Sequence, residues 1–301
     1  MSGAVAVQAL VTGLATGAAY GLIALGFSLV YRLARVLAFA HGDVVVGAVF
    51  IAVAAVIGTM PVAAPLGAGR AVALAVAAIV AGALLSAAIY GVALRPFLRG
   101  GRGDVLGWVA GGLAAGLLVR ELLGLPFDQQ AYALPDPLGS PGTLALGGGV
   151  TVPVRALVVL ALGLAAGVAV ERALAVTGAG AVMRAVSDDR RAAALLGIPT
   201  ERVVIAAFLL AGALAGLAGV LISPQAPIGL GDGVVLGLKG MAAALLGRLG
   251  SLRLALAGGL VLGAAEGLVL ASTTLGARWA DVFVLALLAA LAATRPRGLL
   301  A

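Results

Sequence analysis

Residues 171–202 read ERALAVTGAGAVMRAVSDDRRAAALLGIPTER, and apolar runs long enough to cross a bilayer precede and follow this polar segment. The segment contains five arginines, two aspartates and two glutamates, whereas only 10% of the 301 residues in the chain are charged. Long connections in compact proteins usually have a function. A charged loop of this length, set between two membrane-length runs, therefore predicts a docking surface.

The composition outside this segment indicates a membrane protein. Hydrophobic residues make up 63% of the chain and the mean hydropathy is +1.20, whereas soluble domains contain about 45–50% apolar residues. The 46 glycines and few aromatic residues suit helices that pack closely through small side chains. The absence of cysteine leaves the redox compartment open. The N-terminus lacks the basic region of a signal peptide, which predicts that the first apolar run is retained as a span.

Nine apolar runs reach or approach the ~20 residues that a helix needs to cross the hydrocarbon core. They lie near 8–30, 42–60, 71–94, 104–123, 153–171, 203–222, 234–248, 254–272 and 281–294. Because the seventh and ninth runs are short, eight full spans with one re-entrant segment fit as well. We therefore predict an all-α, polytopic membrane bundle of about eight or nine helices that forms a single domain over residues 1–301.

Basic residues predict the orientation of this bundle, because positively charged loops stay on the cytoplasmic side. Fourteen of the 19 basic residues fall in one set of alternating loops, namely Arg32, Arg35, Arg95, Arg99, Arg102, Arg172, Arg184, Arg190, Arg191, Arg202, Arg248, Arg253, Arg295 and Arg297. The opposite set includes the long loop 124–152, which has two aspartates and no lysine or arginine. The N-terminus is therefore predicted outside, and the C-terminus and the loop 172–202 in the cytoplasm.

The cytoplasmic loop has a helical pattern of its own. Ser187 is a candidate helix N-cap, with Asp188 and Asp189 in the first turn, where carboxylates favour the positive end of the helix dipole. A short helix follows over residues 190–196, and Gly197 is a plausible C′ residue. Either a solvated amphipathic linker or a coupling helix that fits a groove on a cytoplasmic partner would have this pattern.

Five stretches of the chain resemble, in order, the LivH-type permeases, the membrane subunits of branched-chain amino-acid ABC importers. They are GLATGAAYGLIALGFSLVYRLARVLAFAHGD (13–43), ALRPFLR (93–99), RAVSDDRRAAALLGIPTERVVIAAFLLAGALAGLAGVL (184–221), LKGMAAALLGRLGSLRLALAGGLVLGAAEGL (238–268) and the terminal RPRGLLA (295–301). The second resembles the basic Arg-Pro segment after the third span, and the first contains a version of an NFAHG-like signature. The resemblance covers nearly the whole chain and is weakest over the loop 124–152.

The resemblance implies a translocation subunit without catalysis of its own. It implies partners, namely a second homologous permease, two cytoplasmic ATPases that hold ATP and Mg²⁺, and an external substrate-binding protein. RAAALLG at 191–197 keeps the spacing of the EAA-x-x-x-G docking motif of such permeases, with Arg191 in place of Glu. No Walker A motif occurs in the chain, so ATP hydrolysis would come from separate subunits. The residues predicted to couple to the ATPase are Arg184, Asp188, Asp189, Arg190, Arg191, Ala192, Ala193, Leu196 and Gly197.

Two similar segments bear on the translocation pathway. HGDVVVG (41–47) follows the first span and GDGVVLG (231–237) follows the sixth, and each is a Gly-Asp break before a Val-rich run. Inverted repeats with interrupted helices in matching places are typical of transport routes at the midplane, although chance similarity is an alternative in so glycine-rich a chain. The helix N-termini would approach a substrate carboxylate. The candidate pathway residues are His41, Gly42, Asp43, Gly231, Asp232, Gly233, Lys239 and Glu266.

Few polar residues lie within the spans. Glu266 and Lys239 are both inside apolar runs, where ionised groups are costly and generally have a partner or line a cavity. We predict an ion pair between them. The single histidine, His41, excludes a histidine metal cluster and is expected to bond a backbone carbonyl or Asp43.

The interpretation is an ABC importer permease for branched-chain or other hydrophobic amino acids in a prokaryotic cytoplasmic membrane. Urea, short amides and other small solutes remain open as cargo. A stand-alone secondary transporter is the rival class, although it is expected to have more ionisable residues at mid-membrane. A membrane enzyme lacks a nucleophile–base or metal-ligand cluster, and dispersed arginines without interleaved aromatics argue against nucleic-acid binding.

Overall fold

A computed structural model of the chain describes residues 3–58, 67–99, 105–127, 131–132, 142–147, 149–225, 227–272 and 277–294. The helices are α1 (Gly3–Ala34), α2 (His41–Val56), α3 (Ala68–Ile89), α4 (Arg95–Arg99), α5 (Val105–Phe127), α6 (Val154–Val176), α7 (Gly178–Asp188), α8 (Arg190–Leu195), α9 (Thr200–Ile222), α10 (Asp232–Leu246), α11 (Leu252–Ser272) and α12 (Ala277–Thr294). A π-helical turn, Tyr90–Leu94, joins α3 to α4, and β1 (Thr143–Gly147) pairs with β2 (Val150–Pro153).

The predicted all-α membrane bundle is confirmed, since each of the nine apolar runs forms a helix. Six helices in the described part of the chain are long and apolar enough to span a membrane: α1, α3 with its extension, α5, α6, α9 and α11. Helix α2 has 16 residues and α10 has 15. The prediction of a full span over 42–60 is therefore too long, because α2 ends at Val56 and Gly58 adopts a positive φ of 102°.

A β-hairpin forms in the long loop 124–152, for which no strand was predicted. Strands β1 and β2 are antiparallel, with Thr143 opposite Pro153 and Leu144 opposite Val152. Gly147 and Gly149 adopt positive φ values of 84° and 78° near the turn, a conformation that favours glycine. Most of the rest of that loop lies outside the described residues.

Glycines bring the longest helix, α1, into backbone contact with α11. A Cβ atom on Gly263 would collide with the Gly13 carbonyl oxygen and the Gly17 Cα, and one on Gly17 would lie 2.7 Å from the Gly259 carbonyl oxygen. Small residues permit this close approach, and van der Waals packing stabilises membrane helices that have no hydrophobic driving force between them.

Helices α1, α2, α3 and α5, which precede the hairpin, make contacts that correspond to those of α9, α10, α11 and α12, which follow α8. Helix α1 packs against α11 and α10, and α9 packs against α3 and α2. Helix α2 packs against α3 and α5, while α10 packs against α11 and α12. Glycines also mediate the α3–α9 contact, where a Cβ on Gly212 would collide with the Gly82 carbonyl oxygen. This correspondence supports the internal repeat that the two Gly-Asp segments predict.

The polar segment folds as two helices, which corrects the predicted N-cap. Ser187 is not the cap, because it lies inside α7, and its Oγ accepts a hydrogen bond from Arg32 Nε at 3.2 Å. Asp189 caps α8, and its carboxylate accepts from the backbone N–H groups of Arg191 and Ala192 at 2.8 and 2.9 Å. Gly197 has a φ of 81°, which confirms the predicted C′ position.

The α1–α11 contact yields a stability prediction. Replacing Gly263 with Ala should lower the free energy of unfolding by about 1–3 kcal/mol, because an added methyl group in a close-packed contact forces the backbones apart. Gly69→Ala is the control, since a Cβ at that position of α3 meets no atom within 4 Å. Thermal unfolding in detergent measures both variants, and equal melting temperatures would contradict the proposed packing role.

Candidate functional site

The two Gly-Asp segments meet inside the bundle, where the first turns of α2 and α10 contact each other. A Cβ on Gly42 would collide with the Gly233 carbonyl oxygen and would lie 2.5 Å from the Gly237 backbone nitrogen. A Cβ on Gly233 would lie 2.5 Å from Asp43 Oδ1. Only glycine allows this approach of two backbones, so the repeat sequence directly determines the crossing.

Asp43 lies in this crossing, between α10 and α5. A Cβ on Gly116 of α5 would collide with Asp43 Oδ2, so glycines on two neighbouring helices make room for the carboxylate. Arg120, one turn further along α5, is a positive charge that acts on Asp43. A guanidinium nitrogen of Arg120 would lie 4.0 Å from a Cβ on Gly231, at the entrance to α10. Sequence reasoning missed Arg120, because its spacing from the Gly-Asp segments carries no signal.

The remaining predicted residues of the crossing differ in burial. His41 is buried, packs edge-on against Phe27 with 4.8 Å between the ring centroids, and bonds the backbone of Ile23 rather than Asp43. This agrees with the expected backbone bond. Gly231 and Asp232 are exposed, and Asp232 Oδ2 accepts a hydrogen bond from the Gly229 backbone at 2.7 Å.

The non-helical segment that precedes α10 is held in place by residues near the hairpin. Tyr132 and Ile228 exchange two backbone hydrogen bonds of 2.9 Å. The Tyr132 ring contacts Phe50 and Phe127 at centroid distances of 5.5 and 5.3 Å. Arg155 at the start of α6 donates to the Pro224 carbonyl. These contacts hold the non-helical residues that precede α10.

A charge cluster around the buried Lys239 joins α10, α11 and α12. Lys239 Nζ lies 2.6 Å from Glu266 Oε1, so the predicted ion pair is present. Asp281 of α12 adds a second carboxylate at 2.8 Å, and the Tyr20 hydroxyl of α1 lies 3.4 Å from the ammonium. Asp281 was not predicted as a partner, because it stands at the start of the ninth apolar run, where a charge is typical of a helix end.

The docking segment, residues 178–199, is held against the other helices by polar contacts. Arg184 Nη1 donates to the Leu174 carbonyl at 2.5 Å, and Arg32 donates to Ser187. Beyond the segment, Glu201 at the start of α9 forms an ion pair with Arg95 of α4. These contacts join the docking segment and its flanks to α1, α6 and the extension of α3.

The predicted coupling residues do not all face outward. Arg184 is half-buried and Ala193 is 2% exposed, because Ala193 packs against the apolar cluster beneath α8. The exposed members of the predicted set are Asp188, Asp189, Arg190, Arg191, Ala192, Leu196 and Gly197. Leu196 is 81% exposed and its neighbour Leu195, which was not predicted, is 89% exposed. The two leucines form an exposed apolar tip on the docking segment.

A family model described as a permease component of branched-chain amino acid transport systems matches residues 9–292. The chain belongs to this permease family. The family consists of permease subunits of ABC transporters, which are not themselves enzymes. The predicted resemblance to LivH-type permeases is thereby confirmed.

Two relatives of this permease match it over nearly their full length. The high-affinity branched-chain amino acid permease protein BraD of Pseudomonas aeruginosa is 30% identical over 97% of this chain and 95% of its own length. LivH of Escherichia coli K12 is 29% identical, over 97% and 94% respectively. The fold is similar to a solved structure described as an inward-facing conformation of a metal-chelate type ABC transporter. That similarity has a TM-score of 0.52 at 15% identity, and it covers 96% of the permease and 87% of the solved chain.

The charge cluster yields a double-mutant prediction. Replacing Glu266 with Gln should destabilise the wild type, because it removes a carboxylate from a buried ammonium; breaking such pairs typically costs about 3–5 kcal/mol. The loss should be smaller here, since Asp281 remains at 2.8 Å from Lys239. In a Lys239→Met background the same change should be neutral or stabilising, because it reduces repulsion between two carboxylates. Melting temperatures of the four proteins measure the coupling, and equal shifts in both backgrounds would exclude it.

Proposed function

We propose that this permease is the membrane-spanning subunit of an ABC importer that carries branched-chain or other hydrophobic amino acids. The observation that carries the proposal is the exposed apolar tip formed by Leu195 and Leu196 on a docking segment held by polar contacts. Exposed apolar side chains with charged neighbours are typical of protein interaction sites. The names of the relatives supply the cargo class, with urea, short amides and other small solutes as alternatives.

The proposed assembly supplies what the chain itself does not encode. Two cytoplasmic ATPase subunits bind ATP and Mg²⁺ and contact the docking segment. A second homologous permease encloses the translocation route, and an external binding protein delivers the substrate. The absence of a Walker A sequence from the chain supports separate ATPase subunits.

The proposed orientation puts the docking segment in the cytoplasm and the N-terminus outside, in the inner membrane of a prokaryote. Arginines from three loops, including Arg35, Arg184 and Arg248, line one cleft at the docking end of the bundle. The described part of the hairpin loop, at the other end, has no basic residue before Arg155. This asymmetry supports the assignment, because basic loops are retained on the cytoplasmic side.

The proposed route passes the crossing of α2 and α10. Short helices whose N-termini meet within a bundle are typical of transporters, in which the positive ends of the dipoles face anionic substrate groups. The exposed Gly231 and Asp232 lie at this point, and Asp43 contacts the opposite side of the crossing. An amino acid has both charges that such a site would recognise.

The cluster of buried Lys239 and Glu266 with half-exposed Asp281 favours one alternative, a secondary transporter driven by an ion gradient. The two functions differ in their energy source. Proteoliposomes that contain this permease with its co-purified subunits should import leucine only with ATP and the binding protein. Uphill uptake by the purified chain alone, abolished by a protonophore, would establish the alternative.

The exposed tip yields a coupling prediction. Replacing Leu195 and Leu196 with Asp should reduce ATPase co-purification and ATP-driven uptake by roughly 30-fold or more, because a central apolar contact contributes ~2 kcal/mol or more to binding. Membrane insertion should be unchanged, since both side chains are more than 80% exposed.

Val176→Asp is the matched control for this variant, because Val176 is 83% exposed at the end of α6 but lies outside the docking segment. It should retain ATPase binding. Wild-type co-purification by the leucine variant, or equal losses in the two variants, would count against docking at the tip.

Orientation is tested by cysteine labelling, which the cysteine-free sequence allows. Ala145→Cys in β1 and Ala192→Cys in α8 both occupy exposed positions. In intact spheroplasts, a membrane-impermeant maleimide should label the cysteine at position 145 and spare the one at position 192. Opening the membrane should make both reactive. The reverse pattern in intact spheroplasts would invert the proposed topology.

A further inference from the structure

A cleft of about 780 Å³ opens at the docking end of the bundle, where three membrane-length helices begin or end. Its walls come from the last turns of α1 and α6, from α7, and from the connection between α10 and α11. A volume of this size lies within the range of ~300–1,000 Å³ that is usual for small-molecule sites. The cleft is distinct from the α2–α10 crossing and from the exposed tip of α8.

The cleft has an excess of positive charge. Five arginines line it, together with two carboxylates, which leaves three positive charges in excess; the residues are Arg32, Arg35, Arg184, Arg248, Arg253, Glu171 and Asp188. Arg253 pairs with Glu171 and Arg184 donates to a backbone carbonyl. Within the described residues, Arg35 and Arg248 have no carboxylate partner; Arg35 lies over the Tyr31 ring with 5.9 Å to its centroid. These two guanidinium groups remain available to an anion.

The backbone at Arg35 and Arg248 has an unusual conformation. Their φ values are 56° and 66°, and no other non-glycine residue in the described part of the chain has a positive φ. Each follows the end of a helix, at a position where glycine is strongly preferred. Strained positions of this kind cluster at functional sites. Two arginines at two such positions on one cleft therefore point to a role for the side chains themselves.

Much of the remaining lining is apolar, although Ser187 and Ser251 also contribute to it. Leu29, Leu33, Leu174, Leu249 and Leu252 all contribute to the cleft. An inorganic anion needs only the arginines, whereas a ligand with an anionic head and an apolar body uses both parts of the lining. Basic pockets between transmembrane helices at the membrane surface bind the head groups of anionic lipids.

We propose that this cleft is a binding site for an anionic phospholipid, with the phosphodiester head group held by Arg35 and Arg248. The glycerol backbone and the first acyl carbons lie on the leucines. The site bridges α1, α6 and the α10–α11 connection, so the bound lipid stabilises the position of the docking segment relative to the bundle. It requires only that the chain is embedded in a bilayer, and it does not depend on the identity of the cargo.

Glycine substitution separates the charge of these arginines from their backbone strain. The double variant Arg35→Gly and Arg248→Gly removes both guanidinium groups and relieves the positive φ at each position. It should therefore fold at least as well as the wild type. Arg35→Lys with Arg248→Lys keeps the charge, and Arg172→Gln with Arg202→Gln is the matched control, since these exposed arginines do not line the cleft.

The full-length protein with its co-purified subunits is incorporated in nanodiscs of phosphatidylcholine that contain increasing fractions of phosphatidylglycerol with the same acyl chains. Native mass spectrometry counts the retained lipid. The glycine variant should bind phosphatidylglycerol about 10- to 30-fold more weakly, because each arginine near a membrane surface favours an anionic lipid by about three- to fivefold. The lysine variant should retain most of the binding, and the control should differ by less than about twofold.

Four results would overturn the proposal. The glycine variant could retain wild-type selectivity for phosphatidylglycerol, or the Arg172 and Arg202 control could lose it equally. Millimolar inorganic phosphate could displace the lipid, which would make the cleft a simple anion site. Unchanged lipid binding with loss of ATPase co-purification in the glycine variant would instead identify an acidic protein segment as the occupant. The lipid site predicts that the glycine variant is more thermally stable than the wild type in phosphatidylcholine and binds phosphatidylglycerol more weakly.

Discussion

The structure depends on backbone-to-backbone contact between helices that have no side chain at the points where they meet. At the crossing of α2 and α10, Gly42 and Gly233 allow two helix N-termini to approach inside the bundle. Along α1 and α11, Gly13, Gly17 and Gly263 permit the same proximity over several turns. Lipid offers no hydrophobic driving force for helix association, so close packing and satisfied polar groups must supply it. The glycines at these contacts thus specify where the helices meet.

Local sequence patterns predicted the features that are determined locally. The apolar runs identified the helices, the positive φ of Gly197 followed from a glycine after a short helix, and the similarity of two Gly-Asp segments indicated the repeat. The Lys239–Glu266 pair was predictable because two opposite charges in apolar runs must be compensated. Asp281 and the contact between Arg32 and Ser187 were not, because residue pairs distant in sequence come together only through the packing of whole helices. The same limit applies to Ala193, whose burial depends on what lies beneath α8.

The charges of the chain follow two different physical regimes. Inside the bundle, Lys239 has two carboxylates and a tyrosine hydroxyl around it, since an ammonium without partners would be strongly destabilised in a medium of low dielectric constant. At the docking end, arginines outnumber carboxylates and several are exposed to solvent, where an unpaired charge costs little. Only the unpaired arginines at the docking end can attract a ligand or a lipid without first breaking an internal ion pair. Asp281 is intermediate between the two environments. Its side chain is 43% exposed on α12, yet its carboxylate pairs with the buried Lys239 ammonium.

The connections of the docking segment determine how a force applied to it would be transmitted. Arg32 and Arg184 join α7 to the ends of α1 and α6, and Arg95 joins the start of α9 to the extension of α3. Helices α1 and α9 also contact α10 and α2, the two helices of the crossing. A displacement of α8 therefore reaches the crossing through rigid helices and a small number of polar contacts. Because close-packed interfaces have discrete arrangements and resist continuous deformation, such a displacement would favour a second arrangement of α2 against α10. Glycine at the crossing makes that rearrangement sterically feasible, since there is no side chain that must first move out of the contact.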